Sequence, residues 1–345
     1  MTTIQPSGSD GQRPASGRGP LRVGVDIGGS KIAVLVVSAD DEVLARRSVH
    51  AASSEPDEAI AQIATVIRDA VGEAEATMDD VAAVGIGVPG RVDTATGDVA
   101  FAVNLGWQHL PLGRRLEAVL GVPCRVENDV RAAAVGLHRD GRYARVDDLI
   151  FLGIGTGISA GVVLGGRLHR GVRGLAGEIG HVVLDPDGAQ CACGLRGCFE
   201  TIAAGAGIAR SARAAVAAGE PTSLADLAEP TATDVFAAAN DGDPVAVRLV
   251  DAAAEAIARI VHELVLAYDV ELVVIGGGIS RAGAPLLARI QACLAGIAAP
   301  SAFAAELLGE TEVRLAAPDH DIGTWGAIAL LDPVAKEVVA REVVG

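Results

Sequence analysis

Residues 181–198, HVVLDPDGAQCACGLRGC, hold one histidine and three of the chain's five cysteines. Such a cluster serves a disulfide framework, a metal site or a reactive thiol. The first twenty residues have no apolar stretch of the kind a secretory signal carries, so a cytoplasmic protein is expected and lasting disulfides are disfavoured. Taken alone, His181, Cys191, Cys193 and Cys198 form a Cys3His set suited to tetrahedral Zn2+, and Gly194 and Gly197 would let the chain turn tightly around the ion. Four protein ligands leave no position for a catalytic water, so such a zinc would be structural. Reduced, packed cysteines are the competing reading, and Cys124 and Cys293 read simply as small buried residues. Glu178 and Glu200 flank the cluster; on a loose surface loop they would be solvated charges.

Two glycine-rich turns carry a second chemistry. DIGGSK (26–31) and GIGTG (153–157) each join two predicted strands and add hydroxyls at Ser30 and Thr156. Consecutive backbone N–H groups in such turns can wrap phosphate oxygens, where a Cβ would block the approach. Either turn alone would pass for an ordinary hairpin. Two at matching places, one led by Asp26, point to a phosphate clamp. Other glycine patterns fail on context. GIGVPG (85–90) is followed by RVDTATGD rather than a helix, which excludes a dinucleotide fingerprint. GISAG (157–161) lies on a turn and strand, not at a hydrolase elbow, and no Walker loop is present. Asp129 stands where a predicted strand meets a helix, a place that an N-cap also explains.

The elements that must position these residues read as α/β. Strands are predicted at Leu21–Asp26, Lys31–Ser38 and Val43–Ala51, followed by a helix at about 57–75 with Ile60, Ile63, Ala64, Ile67 and Val71 at helical spacing. Then come the strand VAAVGIGVP, a helix after Trp107, the strand PCRVE and a helix from near Asp129. DDLIFLGIGTGISAGVVLGGRLHRG repeats the opening pattern, and ELVVIGGGIS leads into a helix near Pro285. Laid over each other, DIGGSKIAVLVV and GIGTGISAGVVL indicate an internal duplication, two α/β halves around a cleft. The expected division is a disordered tail at 1–20, a smaller domain at 21–134 and a larger one at 135–345, whose last helix packs back on the first.

Half of the 345 residues are hydrophobic and only 3% aromatic, so the core must be aliphatic. A net charge of −16 disfavours nucleic acid or an anionic membrane as partner, and no apolar run is long enough for a membrane span.

The ordered motifs resemble the ROK family of sugar kinases and repressors, in the hexokinase–actin superfamily, over about residues 21–335. DIGGSK resembles its first phosphate motif, with Ser30 where Thr is more usual; ENDVRAAAVG its catalytic-Asp segment; GIGTG its second phosphate motif; and VVIGGGI its adenosine motif. GEIGHVVLDPDGAQCACGLRGCFE is the most specific match. Arg131 in place of a frequent Asn, and His138 in place of a common acidic residue, are departures. The resemblance implies two RNase H-like domains of the actin/hexokinase type and structural Zn2+ on His181, Cys191, Cys193 and Cys198. It implies that Asp129 is the general base for a hexose 6-hydroxyl, with ATP as phosphoryl donor. Asn104, Asn128, Glu178, His181 and Glu200 would then hold the sugar. Asp26 would orient Mg2+ through water, Gly28, Gly29, Ser30, Lys31, Gly155, Thr156 and Gly157 would hold phosphates, and Gly277 and Gly278 would admit the adenosine. Glucose is the expected substrate, with N-acetylmannosamine, N-acetylglucosamine and fructose as rivals, and Arg91 is a candidate contact to a sugar 2-substituent. A sugar-responsive repressor would need a DNA-reading segment that residues 1–20 are too short to form, and a homodimer or homotetramer is expected.

Overall fold

Three strands open the fold in the computed structural model, which describes residues 19–51, 55–139, 143, 146–317 and 321–332. All but the last two residues of the expected tail lie outside that range. β1 (Leu21–Ile27), β2 (Lys31–Val37) and β3 (Val43–His50) are rich in Val, Ile and Leu, the residues that fill a pleated, buried surface. α1 (Pro56–Glu73) has Pro in its first turn and Asp57 and Glu58 at its positive end, and buries the stripe Ile60, Ile63, Ala64, Ile67 and Val71. β4 (Val81–Val88) is followed by β5 (Arg91–Asp93), β6 (Asp98–Ala102) and β7 (Trp107–Leu110), a small antiparallel sheet. The sequence said of this stretch only that it opens no helix. α2 (Leu112–Leu120), β8 (Cys124–Asn128) and α3 (Asp129–Arg139) follow.

The second half repeats the plan. β9 (Leu149–Ile154), β10 (Ile158–Leu164) and β11 (Arg167–His169) are followed by α4 (Phe199–Ala203), α5 (Gly205–Ala217), α6 (Ala232–Asn240) and α7 (Pro244–Tyr268). Then come β12 (Leu272–Gly276), α8 (Gly283–Ala298), α9 (Ala302–Gly309), β13 (Glu312–Leu315) and α10 (Ile322–Ala329). The two large sheets run β3-β2-β1-β4-β8 and β11-β10-β9-β12-β13. In each, the first strand pairs antiparallel with the second and parallel with the fourth. The β1–β2 and β9–β10 hairpins carry the two glycine-rich turns, so the duplication read from the sequence is real at the level of topology. Both cores are aliphatic: Val23, Val25, Ile63 and Ile86 in the first, Leu152, Ile257, Val261 and Ile275 in the second, with Phe199 a rare buried ring.

Two helices cross between the halves. α3 leaves the end of β8 and packs on β9 and β10; α10 follows β13 and packs on β1 and β4; the two also pack on each other. Gly136 and Gly326 make that crossing possible, since a Cβ on Gly136 would stand 2.7 Å from the Gly326 backbone. The boundary expected at residue 134 falls inside α3.

Candidate active site

Four groups of expected site residues follow the C-terminal end of a parallel strand. Gly28–Lys31 follow β1, Asn128 and Asp129 sit at the end of β8, Gly155–Gly157 follow β9, and Gly277 and Gly278 follow β12. Open α/β sheets present their ligand sites at such ends, where backbone groups emerge from the ladder unpaired.

Asp129 is the first residue of α3. The capping role is filled by its neighbour: Asn128 Oδ1 accepts the Arg131 N–H at 3.1 Å, the N-cap pattern. Asp129 Oδ1 instead accepts from Val130 N at 2.9 Å and from Asn128 Nδ2 at 3.0 Å. Desolvation pushes its carboxyl up to about 6, aided by the Glu178 carboxylate and opposed by the Val130 N–H and the Arg131 guanidinium. The helix N-terminus therefore leaves the group ionised at neutral pH by a narrower margin than its position suggests. Asn128 is only 4% exposed, and its amide also donates to Gly90 O at 3.2 Å, so its polar atoms are engaged within the fold.

Asp26 lies close by. A Cβ on Gly87 would stand 3.4 Å from Asp129 Cα and 3.7 Å from Asp26 Oδ1, which makes that glycine the spacer between the two carboxylates. Burial pushes Asp26 up to about 7, helped by Asp129 and Asp321 and opposed by Lys31. Asp321 and Gly323, where a Cβ would stand 2.5 Å from Asp26 Oδ2, come from the start of α10, and nothing in the sequence connected them to β1. Asp26 offers carboxylate oxygens beside two further carboxyls, Asp129 and Asp321, and oxygen donors of this kind suit a hard divalent cation. Asn104, exposed on the turn after β6, flanks Gly29, with its O and Cβ 3.7 and 3.8 Å from a Cβ placed there.

In the second half the loop 177–200 gathers the cysteines. The ligand atoms of His181, Cys191, Cys193 and Cys198 all lie within 4.8 Å of one another. Cys193 Sγ and Cys198 Sγ are 3.6 Å apart, and Cys191 Sγ is 3.7 Å from His181 Nδ1. Zinc bonds of about 2.0–2.3 Å put tetrahedral ligand atoms about 3.4–3.8 Å apart, so the donor types and these two separations are compatible with zinc. Short backbone bonds build the knot, among them Cys191 N to Leu195 O and Gly197 N to Ala189 O, both 2.8 Å. Gly197 has φ +64°, and a Cβ there would overlap Asp185 O. The cluster reaches the carboxylates: Glu200 Oε1 accepts from Cys191 Sγ at 2.9 Å and lies 3.5 Å from His181 Nδ1. Glu200 Oε2 also stands 3.4 Å from the Cβ position of Gly157, so this side chain touches both the cysteine knot and the second glycine-rich turn. Glu178 precedes the short turn that carries His181 and is exposed, as are Ser30, Lys31 and Thr156. Gly277 packs on the end of β9 with φ +82°, while a Cβ on Gly278 would meet nothing. Cys124 and Cys293 are half-buried rather than buried.

One network escaped the sequence reading, which noted Arg131 only as a departure from the family pattern. Glu127 and Arg131, both buried, and the half-exposed Arg170 form an ion network beside Asp129. Its only sequence signal was the four-residue spacing of Glu127 and Arg131, ordinary on a helix surface, and here Glu127 is on a strand.

Residues 22–333 match the ROK family. The glucokinase of Halalkalibacterium halodurans is 34% identical over 313 residues, covering 88% of this chain and 92% of that protein. The N-acetylmannosamine kinase of Escherichia coli O1:K1 is 33% identical over 312 residues, 89% of this chain and 96% of that one. The crystal structure of a ROK family glucokinase from Streptomyces griseus in complex with glucose and AMPPNP is 34% identical, with a TM-score of 0.73 over 90% of this chain and 98% of that one.

Proposed function

Because the chain belongs to the ROK family, we propose that it is an ATP-dependent hexose kinase that phosphorylates the 6-hydroxyl, with glucose the expected substrate. The observation that carries this reading is the placement of Asp129, relieved of capping by Asn128 and within electrostatic reach of both Asp26 and Glu178. A general base must be ionised and near the proton it takes. In the proposed step Asp129 accepts the 6-hydroxyl proton, that oxygen bonds to the γ-phosphorus, and the bond to the bridging oxygen breaks to leave ADP. Asn128 fixes the orientation of the Asp129 carboxylate and stays beside the sugar. Asn104, Glu178, His181 and Glu200 bind sugar hydroxyls, which both donate and accept. The turns Gly28–Lys31 and Gly155–Gly157 hold phosphate oxygens on backbone N–H groups, and Gly277 and Gly278 admit the adenosine. Asp26 would hold Mg2+ through water, and the ion supplies neutralisation of phosphate charge. His181, Cys191, Cys193 and Cys198 would hold structural Zn2+, which supplies a fixed centre for the loop.

The resemblance to an N-acetylmannosamine kinase at nearly the same identity keeps amino sugars as the second reading. Arg91, half-buried at the start of β5, is the residue we assign to probing a 2-substituent. Among the described residues no helix is long and apolar enough to cross a membrane. A cytoplasmic homodimer or homotetramer remains part of the proposal. The test is a panel of glucose, N-acetylmannosamine, N-acetylglucosamine and fructose with ATP and Mg2+, the product located by phosphorus–proton coupling. Glucose should give the highest kcat/KM and a 6-phosphate. A chain that phosphorylates none of the four is not a hexose kinase of this kind.

A further inference from the structure

Loop Arg170–Gly177 leads directly into Glu178 and has little apolar burial of its own: Val172 is fully exposed, and Arg173 is exposed. Its order must come from ties. Within the loop, Ala176 N donates to Arg170 O at 3.1 Å; at its far end, Gly177 O accepts from Ala160 N at 2.8 Å and from Ser159 Oγ at 3.1 Å. Two further ties run to the segment that bears Asp129. Arg170 Nε donates to Glu127 Oε2 at 2.7 Å, and Arg131 Nη1 donates to Gly174 O at 2.7 Å. The network closes through Glu127 Oε1, which accepts from Arg131 Nε at 2.9 Å and from Asn128 N at 2.8 Å.

Glu127 is 1% exposed and Arg131 2%. Buried charges persist only when paired and hydrogen-bonded in a narrow range of geometries, so this network has little freedom to drift. Arg131 is also in the first turn of α3, where the helix dipole disfavours a cation. Helix stability therefore does not account for an arginine there, and its guanidinium fork does: one nitrogen meets the Glu127 carboxylate while another reaches a loop carbonyl.

We propose that Arg131 is a positioning residue that holds the Glu178-bearing loop against the Asp129 corner, through the Glu127–Arg131–Arg170 network. The proposal rests on the kinase reading for its effect on hexose, but not for the tether itself. Its consequence is selective. Hexose must meet both the loop and the Asp129 corner, whereas the glycine-rich turns after β1 and β9 have their own anchorage in the sheets.

The test compares the full-length wild type with Arg131→Asn, Arg131→Lys and Arg170→Gln, with amide hydrogen exchange and steady-state kinetics on each. In Arg131→Asn, amides 171–178 should exchange at least about tenfold faster while those of β9 and β12 hold steady. Its hexose KM should rise by about tenfold or more, with the ATP KM within about twofold of wild type. Arg131→Lys keeps a charge for Glu127 but loses the fork, so it should recover part of both effects. Arg170→Gln leaves the Glu127–Arg131 pair intact and should shift both readouts the same way by less. Should Arg131→Asn fail to fold, this half-exposed position carries the test. Variants with lower melting temperatures but unchanged loop exchange and hexose KM would show an ordinary structural ion network and overturn the proposal. If the wild type phosphorylates no hexose, the kinase reading fails, and the exchange measurement still decides the tether.

Discussion

Asp129 sits in surroundings that penalise its charge, yet the proposed chemistry requires that charge. Its carboxyl is pushed up to about 6 and that of Asp26 to about 7, both chiefly by burial. A carboxyl whose pKa is higher folded than unfolded binds more protons in the native state between those two values. Stability from these two groups is therefore greatest below about pH 4 and is lost as pH rises through about 6–7. Activity runs the other way, because the base must be deprotonated. Asp129→Asn keeps the shape and removes the charge. Its kcat should fall by about 10²–10⁴-fold, while stability near pH 8 should rise, by up to about 3 kcal/mol. Thermal unfolding at about pH 5 and about pH 8, with kcat at saturating glucose, checks both halves. A variant that keeps most of its kcat removes Asp129 from the role of base.

At the scale of one element, the loop 177–200 would let the proposed metal site serve the proposed sugar site without touching the reaction. In the proposed arrangement His181 would belong to both and Glu200 would link them: His181 Nδ1 faces the sulfur cluster, and Glu200 bridges that cluster to Gly157. Zinc can contribute on the order of 10 kcal/mol to ordering a site that is unformed without it. The glycine-rich turn after β1 and the Gly277 segment are anchored elsewhere, in β1–β2 and on β9. Cys193→Ser changes the exposed member of the four proposed ligands. It should lose zinc and weaken glucose binding much more than ATP binding, while the fold persists on its two aliphatic cores. Metal analysis and calorimetry with each ligand, on one purified preparation, decide this. Equal losses would make the knot a general staple, and unchanged glucose affinity would make it dispensable to the sugar site.

For the whole molecule, the decisive feature is the crossing of α3 and α10, each rooted in one half and packed on the sheet of the other. The two helices deliver Asp129 and Asp321 to the same region as Asp26. A Cβ on Gly136 would meet backbone, which cannot rotate aside. Gly136→Ala should therefore destabilise by about 1–3 kcal/mol and more than offset the gain expected for Ala over Gly within a helix. Denaturant unfolding measures this. A Gly136→Ala chain as stable as wild type would mean that the crossing relaxes freely.

The sequence by itself determined whatever depends on local spacing. Alternating or continuous apolar runs set the strands, two like glycine-rich turns set the duplication, and one histidine with three cysteines set a compact sulfur and nitrogen cluster that the fold does assemble. Neighbours distant along the chain were not legible, because nothing in a local pattern specifies its partner. Asp129 and Asn128 are adjacent, but only the direction of the helix start decided that Asn128 caps and Asp129 does not. Gly323 and Asp321 lie almost three hundred residues from Asp26, and only the packing of α10 on β1 brings them to it. Glu127 and Arg131 look like an ordinary surface pair until Arg170 and the Gly174 carbonyl enclose them. Burial, which turns a solvated charge into a positioned one, exists only once the chain has folded over it.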